Sequence, residues 1–169
     1  MKNIELKISL NNFSDIILAL KLAGAEFKGK LVQTDTYYNC KTGRLKLREI
    51  NNKDFELIFY KRPDKNGSEV SHYQIAKIEK NQLRNAKIIL KASLGEKVIV
   101  RKKRNLWLYK HTRIHLDEVN DLGSFLELET VVKGINLMRA EEEHYKIIKL
   151  LSIDKFKKCN KSYSDLLLG

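Results

Sequence analysis

The chain has 169 residues, of which 43% are hydrophobic and 32% charged, and its formal net charge is +12 at pH 7. This length and composition predict one soluble globular domain over residues 1–169. No apolar run approaches the roughly 20 residues of a membrane-spanning helix, and the first residues lack the apolar segment of a signal peptide. We therefore expect a cytoplasmic protein with no membrane partner, in which Cys40 and Cys159 are free thiols.

The excess of Lys and Arg indicates a polyanionic partner: nucleic acid, an anionic membrane surface or a phosphate-rich small molecule. A nucleic-acid-binding protein usually carries its basic residues on a helix or patch with aromatic platforms. Here much of the positive charge lies at alternate positions within strand-like segments. This distribution favours a small phosphorylated molecule and argues against nucleic acid.

Most of the chain reads as strands. In chain order, alternating polar and apolar residues predict strands over residues 2–9, 29–39, 44–50, 55–62, 70–78 and 98–104, followed by a hairpin within 113–129. Helical spacing of apolar residues predicts helices over residues 13–23, 79–92 and 137–151. Residues 162–168 form a short amphipathic tail that we expect to dock on the core. The elements predict an α+β fold with eight antiparallel strands and about three flanking helices.

The hairpin within 113–129 collects its ionisable side chains on one face. Arg113, His115 and Asp117 alternate with apolar residues on the first arm, and Glu127 and Glu129 do so on the second. In an ordinary half-buried hairpin such a face meets water. The same alternation with basic residues in several other strands points to a different role.

A sheet of eight strands removes its exposed edges by closing, so we predict an eight-stranded antiparallel closed β-barrel, or tunnel. Alternate residues of each strand then point inward. The inward ionisable residues would be Glu5, Lys7, Lys46, Arg48, Arg62, Lys102, Arg104, Arg113, Asp117, Glu127 and Glu129. Isolated buried charges are very costly, so this interior requires water or a ligand. The alternative is that these faces point outward and form surface salt bridges.

An interior of this composition suits a polyphosphate with a divalent cation. Lys and Arg neutralise phosphoryl oxygens, and Arg can bind them with two hydrogen bonds. The carboxylates of Glu5, Glu127 and Glu129 are hard oxygen ligands suited to Mg²⁺ or Mn²⁺. His115 could bind phosphate or relay a proton, although a structural role is the better reading of a single histidine.

Several short motifs give the chain a resemblance to a known family. They are ELK at residues 5–7, GRLKLRE at 43–49, YKR at 60–62, KKR at 102–104, the run 113–129, and SY at 162–163 with its leucine-rich tail. In this order and spacing the chain resembles the CYTH-domain proteins. These belong to the triphosphate tunnel metalloenzyme superfamily, which includes class IV adenylyl cyclases and thiamine triphosphatases.

The resemblance implies a triphosphate bound by inward Lys and Arg, with one or two divalent metal ions on inward Glu. By position, the metal ligands would be Glu5, Glu127 and Glu129. The phosphate-binding residues would be Lys7, Lys46, Arg48, Arg62, Lys102, Arg104 and Arg113. Those expected to act in the reaction itself are Lys7, Arg62, Arg113 and Asp117, and the alternative for Asp117 is a salt bridge to an inward Arg. Asn3 departs from the family pattern, because the first Glu of the usual Glu-x-Glu-x-Lys signature falls there.

These observations predict a metal-dependent enzyme acting on ATP or a polyphosphate, most concretely a class IV-like adenylyl cyclase. One alternative is a hydrolase of inorganic or organic triphosphates. A further alternative is a nucleotide- or polyphosphate-binding protein without catalysis, and the absence of a carboxylate at Asn3 is the feature that raises it. A homodimer is compatible with the resemblance.

Overall fold

The computed structural model of the chain describes residues 3–61 and 72–169. The elements are β1 (Asn3–Leu10), α1 (Ser14–Leu22), β2 (Glu26–Tyr38), β3 (Arg44–Ile50), β4 (Asp54–Lys61), β5 (His72–Lys77), α2 (Leu83–Leu94), β6 (Glu96–Tyr109), β7 (Thr112–Val119), β8 (Gly123–Val131), α3 (Leu137–Leu150) and α4 (Tyr163–Leu168). All eight strands form one sheet in the order β1-β8-β7-β6-β2-β3-β4-β5, and every neighbouring pair is antiparallel. The predicted α+β fold with eight antiparallel strands is confirmed.

The predicted closed barrel is wrong, because β1 and β5 are the two edges of the sheet and do not pair within the described residues. Part of the free edge of β1 is covered instead by the segment that precedes α4. The Cys159 amide donates a hydrogen bond of 2.8 Å to the Lys7 carbonyl, and Lys158 forms a β-bridge with Ile8. Backbone groups paired in this way are not available to β5. The two edges meet through a side chain, where the Tyr73 hydroxyl donates to Glu5 Oε1 at 3.2 Å.

The helices differ from the prediction in number and in one boundary. The predicted amphipathic tail is a fourth helix, α4, which begins with a capping box between Ser162 and Asp165. Helix α2 begins at Leu83 rather than at residue 79, because residues 79–82 form a turn in which the Gln82 amide bonds the Glu79 carbonyl at 2.9 Å. None of the helices in the described part of the chain is long and apolar enough to cross a membrane.

The apolar faces of the strands pack beneath helices, as the alternation predicts. On β1, β6, β7 and β8 the outward residues join α1 and α3 in one core cluster, which includes Leu6, Ile114, Leu126, Leu20 and Ile147. Burying such side chains stabilises the fold by about 1.5–3 kcal/mol each. This apolar face of the sheet packs against the helices. The opposite face, which carries the ionisable residues, is therefore the concave side of the sheet.

Candidate active site

The concave side of the sheet encloses a cavity of about 690 Å³. Nine of the residues predicted for the site line it: Glu5, Lys7, Lys46, Arg48, Lys102, Arg104, Arg113, Glu127 and Glu129. These side chains therefore face inward, not toward the outer surface. Asp117 lies beneath the lining, and Arg62 is outside the described residues. Strand register explains part of the clustering, since Glu129 on β8 lies opposite both Arg113 on β7 and Glu5 on β1.

One pair of cations in the cavity is held by Asp35 on β2. Its carboxylate accepts hydrogen bonds of 2.8 and 2.9 Å from the Arg48 guanidinium and one of 2.9 Å from Lys46 Nζ. Burial alone would raise the pKa of Asp35, but the charges of Lys46 and Arg48 hold it well below its usual range. Sequence reasoning missed this carboxylate, although Asp35 is in phase with the inward residues Gln33 and Tyr37.

A second group of cations surrounds Asp117 on β7. The Arg104 guanidinium donates two hydrogen bonds of 2.6 Å to its carboxylate, and Lys102 Nζ lies 3.4 Å from Oδ2. The Tyr163 hydroxyl donates to the same Oδ2 at 3.0 Å. Asp117 is fully buried. The structure thus places it as the salt-bridge partner of an inward Arg, which was the alternative reading of this residue.

Glu127 connects this group to β1. Its carboxylate lies 3.1 Å from Lys7 Nζ and 2.8 Å from Arg104 Nη2. Burial would raise the pKa of Glu127, yet the charge of Lys7, the neighbouring His115 ring and the charge of Arg104 hold it well below its usual range. Glu127 is therefore an ionised partner of two cations before any ligand binds.

His115 lies on the same face, within 3.8 Å of Glu127 and 4.0 Å of Glu129. Its ring is buried, and burial together with the charge of Arg104 lowers its pKa. The Nδ1 atom has no hydrogen-bond partner among the described residues. The ring therefore lies beside the two glutamates without a hydrogen bond from Nδ1 to either of them.

A more acidic end of the cavity is formed by Glu129, Glu5 and Asn3. The Asn3 side-chain amide donates a short hydrogen bond to Glu129 Oε1, while Arg113 Nη1 lies 3.4 Å from Oε2. The carbonyl oxygen Oδ1 of Asn3 is buried and has no hydrogen-bond partner within the described part of the chain. This end therefore presents two carboxylates and an unpaired amide oxygen.

The inner faces of β4 and β5 are different in character, because apart from Glu56 their cavity-lining residues are apolar or aromatic. The rings of Tyr60 and Tyr73 are opposite each other in the register and stack with centroids 5.3 Å apart. Ile58 and Ile75 form the next pair on the same face of these two strands, and all four residues line the cavity. Although it lines the cavity, Ile75 is 58% exposed. A ligand with an apolar or aromatic part would cover this surface.

Comparison with known proteins agrees with the motifs and the geometry, since the CYTH domain model matches residues 1–163. The chain belongs to the CYTH family. A protein of Methanocaldococcus jannaschii named as a candidate adenylate cyclase is 28% identical over 98% of both chains. CYTH family members are adenylyl cyclase-like or triphosphatase enzymes that bind triphosphate substrates.

Solved structures show the same fold. A Pyrococcus horikoshii protein superposes with a TM-score of 0.83 at 22% identity, covering 97% of this chain and 98% of its own. A Hippeastrum protein superposes with a TM-score of 0.68 at 16% identity, covering 99% of this chain and 95% of its own. The Hippeastrum structure is described as that of a candidate adenylyl cyclase with a dominant triphosphatase activity. At these identities the likeness shows the fold alone.

CYTH triphosphate tunnel metalloenzymes depend on a metal ion, so the acidic end is the place to test for one. No three His, Cys, Asp or Glu side chains of the described residues are grouped as a ready metal cluster. The oxygen donors of Glu5, Glu129 and Asn3 nevertheless suit Mg²⁺ or Mn²⁺, and the unpaired Oδ1 of Asn3 is the kind of atom that a cation would satisfy. Glu127 fits less well, because two cations already occupy its oxygens.

In the described part of this CYTH cavity, the cationic side chains and the carboxylates are equal in number. The cationic side chains in or directly beneath the lining are Lys7, Lys46, Arg48, Lys102, Arg104 and Arg113, and the carboxylates are Glu5, Asp35, Glu56, Asp117, Glu127 and Glu129. A triphosphate carries several negative charges. Entering alone, it would leave a strong excess of negative charge in a partly buried space. A divalent cation that enters with the triphosphate reduces that excess.

Proposed function

We propose that this protein is a metal-dependent enzyme that acts on an organic triphosphate in the cavity. Its most concrete form is a class IV-like adenylyl cyclase that converts ATP to cyclic AMP and pyrophosphate. The observation that carries the proposal is the separation of charge within one cavity. Cations tied to Asp35, Asp117 and Glu127 form one part, and Glu5 and Glu129 form the acidic part beside them.

The cations are held in a way that suits phosphate binding. Lys7, Lys102 and Arg104 share the two carboxylates of Asp117 and Glu127, so this group carries one positive charge more than its carboxylates neutralise. Lys46 and Arg48 similarly share Asp35. The N–H groups that remain, including those on Nη1 of Arg48 and Arg104, can donate to phosphoryl oxygens.

The proposed metal ligands are Glu5 and Glu129, with the carbonyl oxygen of Asn3 as a weaker third donor. A bound Mg²⁺ or Mn²⁺ would neutralise phosphoryl oxygens and orient the triphosphate. Glu127, which the sequence also places among the ligands, can contribute once phosphate draws Lys7 and Arg104 away from its carboxylate. Its place in the ligand set therefore depends on the triphosphate.

The proposed catalytic set changes in one respect. Lys7 and Arg113 line the cavity and remain proposed contacts of the reacting phosphates, and Arg62 lies outside the described residues. Asp117 is buried beneath Arg104 and Lys102, so we assign it the role of positioning those cations. Catalysis would come mainly from positioning and from stabilising charge on the phosphoryl chain.

The apolar wall of β4 and β5 favours an organic substrate over inorganic triphosphate. Tyr73 and the exposed Ile75, backed by the buried Tyr60 and Ile58, offer a surface for a base or another planar group. The cavity of about 690 Å³ is in the range of sites that enclose small organic ligands. In the cyclase reaction the ribose 3′-hydroxyl attacks the α-phosphorus and pyrophosphate leaves.

The second candidate is a triphosphatase, in which water attacks the terminal phosphoryl group. It shares the cationic cavity and the metal end with the cyclase. The dominant triphosphatase activity described for the Hippeastrum protein, which has the same fold, supports it. The two reactions differ in which phosphorus atom faces the nucleophile.

The test is incubation of the pure protein with ATP or with inorganic triphosphate, each with Mg²⁺ or Mn²⁺. Cyclic AMP with pyrophosphate identifies the cyclase, orthophosphate identifies the triphosphatase, and tight binding without turnover identifies a binding protein. Glu129→Ala and Glu127→Ala should each abolish metal-dependent turnover. Glu49→Gln is the matched control, because Glu49 pairs with Lys87 of α2 away from the cavity. Undiminished turnover in both cavity variants would refute the site assignment.

A further inference from the structure

Tyr163, the first residue of α4, contacts the cavity cations although it comes from the last helix of the sequence. Its ring centroid lies 4.1 Å from Lys7 Nζ and 5.0 Å from Lys102 Nζ. Its hydroxyl donates to Asp117 at 3.0 Å, and its ring packs edge to face on Phe125 with centroids 5.1 Å apart. One buried aromatic side chain thus touches two lysines of the phosphate-binding group and the carboxylate beneath them.

The position of this ring is determined from both sides. Ser162 and Asp165 form the capping box that begins α4, and Arg44 Nη2 on β3 binds Asp165 at 2.7 Å. Before the helix, the carbonyl of Lys161 accepts a hydrogen bond of 3.1 Å from Lys7 Nζ. The segment therefore cannot shift without breaking contacts to β1 and β3.

An aromatic ring suits this place better than a further carboxylate would. The face of a Tyr ring attracts an ammonium group through its quadrupole but carries no net charge. It therefore orients Lys7 and Lys102 without adding a further negative charge, and the positive charge that this group carries in excess of Asp117 and Glu127 stays available to a phosphate. Holding the lysines before binding also reduces the side-chain entropy that the complex would otherwise lose.

We propose that Tyr163 is a positioning residue for triphosphate binding, whose ring holds Lys7 and Lys102 in place without adding a negative charge beside them. The last helix is then part of the binding site and not only a cover of the core. The role in ligand binding depends on the proposed function, whereas the contact of the ring with the two lysines is a property of the free protein.

Three variants separate the ring from its hydroxyl and from general packing. Tyr163→Phe keeps the ring and removes the hydrogen bond to Asp117. Tyr163→Leu removes the ring. Phe125→Leu removes an aromatic neighbour of Tyr163 that does not line the cavity, and serves as the packing control. Thermal unfolding of each variant establishes that it is folded.

The first measurement is the dissociation constant for inorganic triphosphate with Mg²⁺, by calorimetry. Tyr163→Leu should weaken binding about tenfold, while Tyr163→Phe and Phe125→Leu should bind as the unmodified protein does. Unchanged binding by folded Tyr163→Leu would overturn the proposal. So would a loss in Tyr163→Phe or Phe125→Leu as large as that in Tyr163→Leu, because the ring itself would then not be the cause.

The second measurement needs no ligand. In protein with ¹³C-labelled lysine, the Cε–Hε signals of Lys7 and Lys102 should be shifted upfield by the ring current of Tyr163, retained in Tyr163→Phe and lost in Tyr163→Leu. Absence of the shift in the unmodified protein overturns the proposal directly. The shift without any binding of triphosphate overturns the proposed function and the ligand role of Tyr163 with it, and leaves the ring contact as a feature of folding.

Discussion

Arg104 and Asp117 lie opposite each other on β6 and β7, and two hydrogen bonds of 2.6 Å join the guanidinium to the carboxylate. Asp117 is fully buried and also accepts a hydrogen bond from the Tyr163 hydroxyl. Because it does not line the cavity, its effect on a ligand must pass through the cations that it holds. A carboxylate in this position makes the stability of the sheet and the arrangement of the site depend on the same contact.

Removing this carboxylate should destabilise the protein strongly. We expect Asp117→Asn to lower the free energy of unfolding by about 3 kcal/mol or more, because Arg104 and Lys102 would stay buried without their partner. Urea unfolding measures the change. The control is Asp154→Asn, which breaks an exposed pair with Lys149 and should have no measurable effect. Equal losses in the two variants would contradict the role given to Asp117.

Lys102 should make triphosphate binding dependent on pH. Burial and the charge of Arg104 lower the pKa of Lys102 to about 8. Above that pH the amine loses its proton and its charge, so the affinity for inorganic triphosphate should fall as the pH rises beyond about 8. Lys102→Arg should remove this step, because arginine stays protonated. Comparing the affinity of the unmodified protein and of Lys102→Arg for the same ligand at each pH removes the contribution of the triphosphate's own ionisation. Identical pH profiles of the two proteins would rule out Lys102 as the source of the pH dependence.

A carboxylate at position 3 should strengthen the metal end. Asn3→Asp keeps the size of the side chain and adds a charge next to Glu129, so without metal the two carboxylates repel each other and the melting temperature should fall. With Mn²⁺ the order should reverse, and the Mn²⁺ concentration for half-maximal turnover should drop about tenfold. Asn12→Asp adds the same charge in an exposed turn at Ser14 and should change neither the melting temperature nor the Mn²⁺ dependence in this way. Unchanged Mn²⁺ dependence would place the metal elsewhere.

His144 on α3 should make the fold sensitive to mild acid. Burial and the nearby charge of Lys158 lower its pKa from 6.5 to about 4. The unfolded chain therefore takes up this proton at higher pH than the folded one, and stability falls as the pH drops from about 6.5 to about 4. The expected loss is about 3 kcal/mol.

The variant His144→Gln isolates this effect from that of the buried carboxylates. Its amide can keep the hydrogen bond that Thr130 Oγ1 shares with His144 Nδ1 at 2.8 Å, but does not titrate in this range. Unfolding free energies measured at several pH values should decline less for the variant than for the unmodified protein between pH 6.5 and 4. Parallel declines would exclude His144.

The inward direction of the charged faces could be predicted because strand alternation is a local property of the backbone. Lys102 and Arg104, two residues apart, fall on one face of β6 wherever that strand pairs. On β7, the apolar Ile114 and Leu116 alternate with Arg113, His115 and Asp117 and identify the opposite face of that strand as the one that packs against helices. The same locality explains why the helices near residues 13–23 and 137–151 were predicted almost to their ends.

Contacts between distant segments could be decided only by the tertiary structure. Asp35 becomes the partner of Lys46 and Arg48 through the register of β2 and β3, which no single strand reveals. Tyr163 reaches Lys7 because the last helix folds back over the cavity, across more than 150 positions of sequence.

The sequence by itself therefore determined which strand faces carry charged residues, whether those residues are acidic or basic, and the family. These depend on residue type and on the alternation of side chains along a strand. The tertiary structure alone decided whether the two edges of the sheet pair with each other and which cations each carboxylate binds. Within the described residues β5 does not pair with β1, part of whose edge is bound by residues 158–159, and Glu127 is an ion-pair partner because Lys7 and Arg104 come within 3.1 Å of it. Both outcomes follow from competition among groups brought together in space, for which spacing along the chain carries no information.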